Sequence, residues 1–177
     1  IGRRASRVPE AEAPSHIFGY TCINDVTAVE LLKKDATFDQ WSRCKSFDTF
    51  GVLGPWIDTS FDWTAASVRT RVNGRERQNY PLNDMIFEPC ELLSRLSHDM
   101  TLEPGDVILC GTSLGVLPMK PGTPVEVEID GIGRLLNTIV GDEELDLLRD
   151  DPAIDRVRVR SVLTCDAELG ICAKCYG

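Results

Sequence analysis

Apolar and polar residues follow one another along this chain in patterns that are typical of short strands. The mostly apolar segment His16–Ile23 predicts a buried strand. Ser67–Val72 alternates between apolar and polar residues, and Asn73-Gly74 after it favours a tight hairpin turn into a second strand. Further apolar or alternating runs predict strands at 107–110, 125–129 and 132–140.

Three other segments predict helices. Val8–Ala13 has a proline near its start and acidic residues in its first turn. Asp25–Lys34 predicts a short helix with Asn24 or Asp25 at its N-cap. Glu88–Leu96 places three leucines on one face, as a helix packed on a core requires. The pattern as a whole predicts a mainly β fold with short helices, in the α+β class.

Composition changes near residue 141. The stretch 142–151 is dense in acidic residues, and 156–160 alternates basic and apolar residues. We therefore predict a core over residues 1–141, followed by an acidic linker and a small cysteine-containing segment over 142–177.

Charge and hydrophobicity narrow the classes of partner. The formal charge is −9, and 42% of the 177 residues are hydrophobic, which fits a packed globular core. Nucleic-acid binding is not expected, because phosphate contacts need clustered Lys and Arg.

No apolar run approaches the roughly 20 residues that span a bilayer. A cytoplasmic protein is the simplest expectation, and its start at Ile1 rather than Met indicates processing, trimming or a fragment.

Asp25 is the first candidate for chemistry, because it lies where an apolar strand meets a predicted helix start. Its carboxylate is either an N-cap or a ligand of a divalent cation. A hard cation such as Mg²⁺ needs several oxygen ligands, so one aspartate is not sufficient. Glu10 and Glu12 do not supply the rest, since residues two apart on a helix point in different directions.

Lys45 is the second candidate, since it lies among aromatic residues in the segment 40–50. Its ammonium could pair with a substrate carboxylate or enolate, or it is an exposed lysine whose stem covers aromatic surface. The segment Gly111–Gly115 ends a predicted strand in a loop of small residues. Such a loop lets backbone N–H groups and a hydroxyl approach an anionic ligand.

Taken together, these segments closely resemble the fumarylacetoacetate hydrolase family over about residues 1–140. The stretches that carry the resemblance are 18–27, 40–56, Asn73-Gly74 with 77–81, 84–87, 101–106, and 131–135 with Asn137. The resemblance implies a mixed β-roll, a homodimer and a bound Mg²⁺, Mn²⁺ or Ca²⁺. It also implies a hydrolase, lyase or isomerase that acts on a small diketo or hydroxy-dienoate acid, as in aromatic catabolism, through a metal-bound enolate.

The same resemblance implies roles for individual residues. Asp25 would be a metal ligand, and Lys45 would stabilise the enolate or bind the substrate carboxylate. Thr112 would hydrogen-bond the substrate near the metal. Gln40 and Arg43 are implied as substrate-binding residues around this centre.

Several departures from the family pattern leave the activity of this chain open. The family supplies two further metal ligands as a Glu-x-Glu pair just upstream of a segment like Ile1–Arg4, and this chain begins after that point. A His/Glu dyad and a lid of many members also lie further upstream. Cys44, Ser113 and Val29-Glu30 replace the usual residues. The alternative expectation is a catalytically incomplete fragment or fusion without turnover.

The seven cysteines form two groups. Four lie among apolar residues and are predicted to be free thiols in a reducing compartment: Cys22, Cys44, Cys90 and Cys110. The other three, Cys165, Cys172 and Cys175, have the spacing C-x₆-C-x₂-C. Their thiolates could bind Zn²⁺ with a fourth ligand from elsewhere, or Cys172 and Cys175 could form a disulfide.

Residues 150–177 also closely resemble a zinc-binding segment of the bacterial RNA polymerase β′ subunit. The resemblance implies a zinc-stabilised interaction module, while nothing resembles the catalytic aspartates of the polymerase. No transcription activity is inferred.

We predict that Cys172→Ser releases Zn²⁺ from the purified protein, because the substitution removes one of the thiolate ligands of a tetrahedral zinc site. Elemental analysis of the wild type and the variant, purified side by side without chelators, measures the loss. A wild-type protein that contains no zinc would contradict the prediction.

Overall fold

The computed structural model of the protein describes residues 1–140 and 161–162, and these residues form an α+β fold as predicted. The strands are β1 (Tyr20–Asn24), β2 (Val52–Asp58), β3 (Ser67–Val72), β4 (Arg75–Pro81), β5 (Val107–Ile108), β6 (Pro124–Ile129), β7 (Gly133–Thr138) and β8 (Ser161–Val162). The α-helices are α1 (Val29–Leu32), α2 (Trp41–Lys45) and α3 (Pro89–Asp99), and 3₁₀-helices span Glu10–His16, Trp63–Ala65 and Leu82–Asp84.

Antiparallel pairing dominates the sheets. Four strands pair in the order β4-β3-β6-β7, and β1 pairs with β2 in a second antiparallel sheet. The short strand β5 pairs in parallel with β8. This architecture confirms the α+β class; closure into a β-roll and the boundary at residue 141 stay predictions.

The hairpin between β3 and β4 forms where the sequence predicts it. Asn73 and Gly74 connect the two strands with φ angles of 51° and 72°. Positive φ at both central residues is the geometry of a type I′ turn, whose twist matches that of the flanking strands. The Asn-Gly pair therefore sets the register next to the turn, and a bulge between Thr70 and Arg71 shifts it further along the hairpin.

Two predicted helices are shorter or tighter than expected. The helix predicted at Val8–Ala13 is a 3₁₀-helix over Glu10–His16, and it contains Pro14, which has no N–H for an α-helical hydrogen bond. The helix predicted at Asp25–Lys34 forms over Val29–Leu32 alone, with Ala28 at its N-cap. The N-cap interpretation of Asn24 or Asp25 is therefore wrong.

The four-stranded sheet separates apolar and charged side chains onto its two faces. Val68 of β3 and Val127 of β6 are buried on the inner face. On the other face, Arg71 forms ion pairs with Glu126 and Glu128 of the neighbouring strand. These arginine contacts offset part of the acidic charge that alternates along β6.

Two clusters of buried side chains form the core of the part of the chain that the structure describes. One joins α3 to the N-terminal segment through Ala5, Val8, Ala13, Leu93, Leu96 and Leu102. The other packs β1 on the inner face of the sheet through Cys22, Val68, Val127, Ile132 and Leu135.

Within residues 1–140 and 161–162, no helix has the length and apolar character to cross a membrane.

We predict that Leu93→Ala lowers the free energy of unfolding by about 2–5 kcal/mol, because it opens a cavity in a close-packed core. Leu93 is 1% exposed, whereas the matched control Leu136 is 64% exposed. Leu136→Ala should cost about 0.5 kcal/mol or less. Equal losses in urea denaturation of the two variants would refute the assignment of this core.

Candidate active site

A cavity of about 850 Å³ lies beside the inner face of the four-stranded sheet. Its lining includes Asp25 and Lys45 from the first half of the chain, and Gln78, Thr112 and Ser113 from the second. The volume falls in the range of pockets that receive small molecules, about 300–1,000 Å³. The fold thus brings the main predicted site residues to one cavity.

Asp25 and Lys45 form an ion pair within this lining. Asp25 follows the last residue of β1, and Lys45 is the last residue of α2. The Lys45 Nζ atom donates a hydrogen bond to Oδ2 of Asp25. The Lys45 side chain is only 11% exposed, so the interpretation as a solvent-exposed lysine is wrong.

The environment of the lysine explains its position. Its Nζ atom lies 5.9 Å from the centroid of the Trp41 ring, one helical turn earlier. An ammonium near an aromatic face and a carboxylate retains favourable electrostatics after it leaves bulk water. The pair therefore places a positive charge and an acceptor oxygen side by side in the cavity.

Thr112 belongs to the loop after β5. Its Oγ1 atom accepts a hydrogen bond of 2.8 Å from Nε2 of Gln78, a buried residue of β4. The same Nε2 atom donates to the backbone oxygen of Ser113 at 2.9 Å. The predicted small-residue loop is thus fastened to the sheet by a side chain.

Two glycines allow this loop to follow its path. Gly111 and Gly115 both have a φ angle of 109°, which non-glycine residues rarely adopt. A Cβ atom at Gly115 would overlap the backbone oxygen of Arg77 on β4. The loop therefore approaches β4 at Arg77 and Gln78, two adjacent residues.

Gln40 and Arg43 are not in the cavity lining. The amide of Gln40 donates a hydrogen bond of 3.4 Å to the backbone oxygen of Phe38, and Arg43 is exposed. Their neighbours Asp39 and Trp41 do line the cavity. Substrate binding by Gln40 and Arg43 stays a prediction.

Gln78 is not among the site residues that the sequence predicted, although the alternation of side chains along its strand indicated an inward position. Gln78 pairs with Thr70 across the hairpin, and Tyr80 pairs with Val68. Since side chains alternate along strands, Gln78 occupies an inward register position next to apolar residues. A glutamine at such a position needs a buried hydrogen-bond partner, which Thr112 and Ser113 supply.

The described residues provide part of a metal site. Asp25 offers carboxylate oxygen, the ligand that Mg²⁺ and Mn²⁺ prefer. Across residues 1–140 and 161–162, no three His, Cys, Asp or Glu side chains gather where they could hold a metal ion. The donor set therefore fits one ligand of a hard cation and does not by itself complete a coordination shell.

The cysteines divide as the sequence suggests. Cys22, Cys44, Cys90 and Cys110 are free thiols, as predicted. Burial raises the pKa of all four, and for Cys110, which lines the cavity next to Gly111, to about 11. Cys165, Cys172 and Cys175 lie outside the described residues, so their zinc site stays a prediction.

We predict slow alkylation of Cys110 at pH 8, because a thiol with a pKa of about 11 is thiolate in only roughly one molecule per thousand there. The rate should rise as the pH approaches 11, since only the thiolate attacks iodoacetamide. Peptide-resolved mass spectrometry of the folded protein measures the rate, and the urea-unfolded protein is the control. Equal rates in both states at pH 8 would refute the raised pKa of this thiol.

The fold and the site define a class of protein. It is an α+β domain with a cavity of small-molecule size, and an acid–lysine pair and a loop with a threonine line that cavity. The family profile described as fumarylacetoacetate (FAA) hydrolase C-terminal matches residues 1–140. The chain therefore belongs to the fumarylacetoacetate hydrolase family, as its motifs predicted. The match does not extend to residues 150–177, so their resemblance to a polymerase segment stays a prediction.

Named relatives show the range of the family. Oxaloacetate tautomerase YisK of Bacillus subtilis is 39% identical, over 78% of this chain and 48% of its own length. The structure of 5-carboxymethyl-2-hydroxymuconate delta-isomerase from Mycobacterium smegmatis has a TM-score of 0.75 at 44% identity, and the match covers 79% of this chain and 55% of that one. Fumarylpyruvate hydrolase from Pseudomonas aeruginosa, solved with Mn²⁺ and pyruvate, has a TM-score of 0.73 at 29% identity, over 79% of this chain and 61% of that one.

The chain spans about half the length of the curated relatives it matches. For three of them, at 43% to 48% identity, it covers 53% to 59% of the relative. The family includes isomerases, decarboxylases and hydrolases of small carboxylic acids. The structure of one member contains Mn²⁺, which is consistent with divalent-metal use in the family.

Proposed function

We propose that this chain carries part of the active site of a divalent-metal-dependent hydrolase, lyase or isomerase. Its substrate would be a small diketo or hydroxy-dienoate acid that reacts through an enolate. The observation that carries the proposal is the ion pair of Asp25 and Lys45, in a cavity of about 850 Å³ that Thr112 also lines. Family membership over residues 1–140 supports it.

Each residue would act through its own chemistry. Asp25 would supply one oxygen ligand to Mg²⁺, Mn²⁺ or Ca²⁺, and a bound cation would draw negative charge onto itself as a Lewis acid. Lys45 would direct its ammonium toward the substrate carboxylate or the developing enolate, where a fixed positive charge lowers the barrier. The hydroxyl of Thr112 would orient the substrate by a hydrogen bond.

One observation favours a second candidate, a catalytically incomplete core. The residues that the structure describes contain one acid–lysine pair but no group of three metal-binding side chains. A cation bound by a single carboxylate would be held weakly and would exchange with water. In this alternative the chain keeps the cavity and binds acids without turnover.

Family membership over residues 1–140 implies further features, which we also propose. They are closure of the strands into a β-roll, assembly as a homodimer, a cytoplasmic location and a role in aromatic catabolism. Zn²⁺ at Cys165, Cys172 and Cys175, and an interaction role for that segment, stand beside them as separate proposals.

We predict that Asp25→Asn weakens Mn²⁺ binding to the full 177-residue chain by at least roughly tenfold, because an amide oxygen replaces an anionic ligand. Electron paramagnetic resonance of free Mn²⁺ measures the affinity. Asp99→Asn, at the exposed end of α3, is the matched control and should leave it unchanged. Micromolar binding that survives Asp25→Asn would refute the role of Asp25.

The same preparations separate the two candidate functions. Oxaloacetate enol–keto exchange, followed by ultraviolet absorbance, reports turnover in the presence of Mn²⁺. Turnover that Asp25→Asn removes supports the enzyme. Mn²⁺ binding that depends on Asp25 without turnover of oxaloacetate or an acylpyruvate favours the incomplete core.

A further inference from the structure

Gln78 connects the hairpin to the loop that contains Thr112. Its Nε2 atom donates to Oγ1 of Thr112 at 2.8 Å and to the backbone oxygen of Ser113 at 2.9 Å. An amide NH₂ group has two hydrogens, so these two bonds occupy both donors, and a longer contact of 3.4 Å to Ser113 Oγ shares one of them. One side chain therefore fixes both the threonine hydroxyl and the adjacent backbone.

The burial of Gln78 makes the loss of these hydrogen bonds costly. The residue is 9% exposed, so water competes little for its amide. A buried donor that loses its acceptor carries a desolvation cost, and this cost opposes rotation of Thr112 away from Gln78. The amide thus restricts the rotamer of Thr112 more than a surface contact would.

Backbone packing restrains the same loop next to this contact. Gly115 lies so close to the backbone oxygen of Arg77 that a Cβ atom there would overlap it. Arg77 and Gln78 are consecutive in β4, so the loop is held at neighbouring points of one strand. Movement of Thr112 would require both contacts to change together.

The contact with Gln78 fixes the place of the Thr112 hydroxyl. Thr112 lines the cavity, and its Oγ1 atom accepts the hydrogen bond from the buried amide of Gln78. A hydroxyl that accepts one hydrogen bond keeps its own hydrogen and a second lone pair for other contacts. The Gln78 contact therefore determines where the Thr112 oxygen lies in the cavity lining.

We propose that Gln78 is a positioning residue, which holds the Thr112 hydroxyl at the cavity lining where a small carboxylic acid would bind. Gln78 acts on the ligand through Thr112. The identity of the ligand as a small carboxylic acid depends on the proposed function, whereas the restraint on Thr112 does not.

The test uses the full-length chain with Gln78→Met, which keeps the length of the side chain and removes both donors. Gln78→Glu is the second variant, since a carboxylate cannot donate to Oγ1 or to the Ser113 oxygen. Asn79→Ala, at an exposed position on the same strand, is the matched control. Thermal melting identifies any variant that does not fold, and the remaining variant is then used.

Two measurements follow, and the first needs no ligand. In protein with ¹³C-methyl threonine, the Thr112 methyl resonance should shift and lose order in the Gln78 variants and stay unchanged in Asn79→Ala. The second is calorimetric binding of pyruvate with saturating Mn²⁺. Gln78→Met should weaken it by roughly five- to tenfold, the effect of one or two neutral hydrogen bonds.

The double variant decides whether Gln78 works through Thr112. In a Thr112→Val background, Gln78→Met should change pyruvate affinity less than twofold. A loss of equal size in both backgrounds, or an unchanged Thr112 methyl resonance, would overturn the proposal. If wild-type protein binds no pyruvate, the proposed function fails, and the methyl resonance alone supports or overturns the restraint.

Discussion

The packing of β1 on the inner face of the four-stranded sheet is the constraint on which the candidate site depends. Cys22 at the centre of β1 is fully buried against Val68, Val127, Ile132 and Leu135. Because β1 ends two residues later, this contact fixes where the chain leaves the core and therefore where Asp25 lies. A larger side chain in place of Cys22 would overfill this contact and disturb the packing of β1 on the sheet.

The site then combines short-range and long-range contacts. Asp25 and Lys45 are twenty residues apart and meet because a short helix, α2, ends beside the exit of β1. Gln78 and Thr112 are separated by 34 residues and meet because β4 faces the loop after β5. One pair supplies charge, and the other supplies a directed hydroxyl.

Electrostatics differ between the cavity and the rest of the molecule. The chain carries a formal charge of −9, and much of the acidity of the sheet is paired with arginine on the face away from the cavity. The nearly buried ammonium of Lys45 is therefore a local exception in an acidic protein. Its partner Asp25 balances this charge within the ion pair, so a small anion competes with that carboxylate for the ammonium.

The sequence by itself determined several of the local elements and the family. Asn73-Gly74 specified its hairpin through backbone conformation, and the leucine stripe specified α3 through its period. Asp25, Lys45 and Thr112 were identified as candidates because their motifs are contiguous in the chain. These are features that neighbouring residues encode, so a linear pattern is enough to reveal them.

Only the tertiary structure decided how these residues are arranged. The helix after β1 begins at Val29, so Asp25 does not cap it. The ion pair of Asp25 with Lys45 requires β1 and α2 to pack side by side. Gln78 acquired its partners from a loop that is distant in sequence, so no local pattern could name them. Hydrogen bonds and ion pairs between distant segments depend on how the core packs, and this is the physical reason the sequence alone could not supply them.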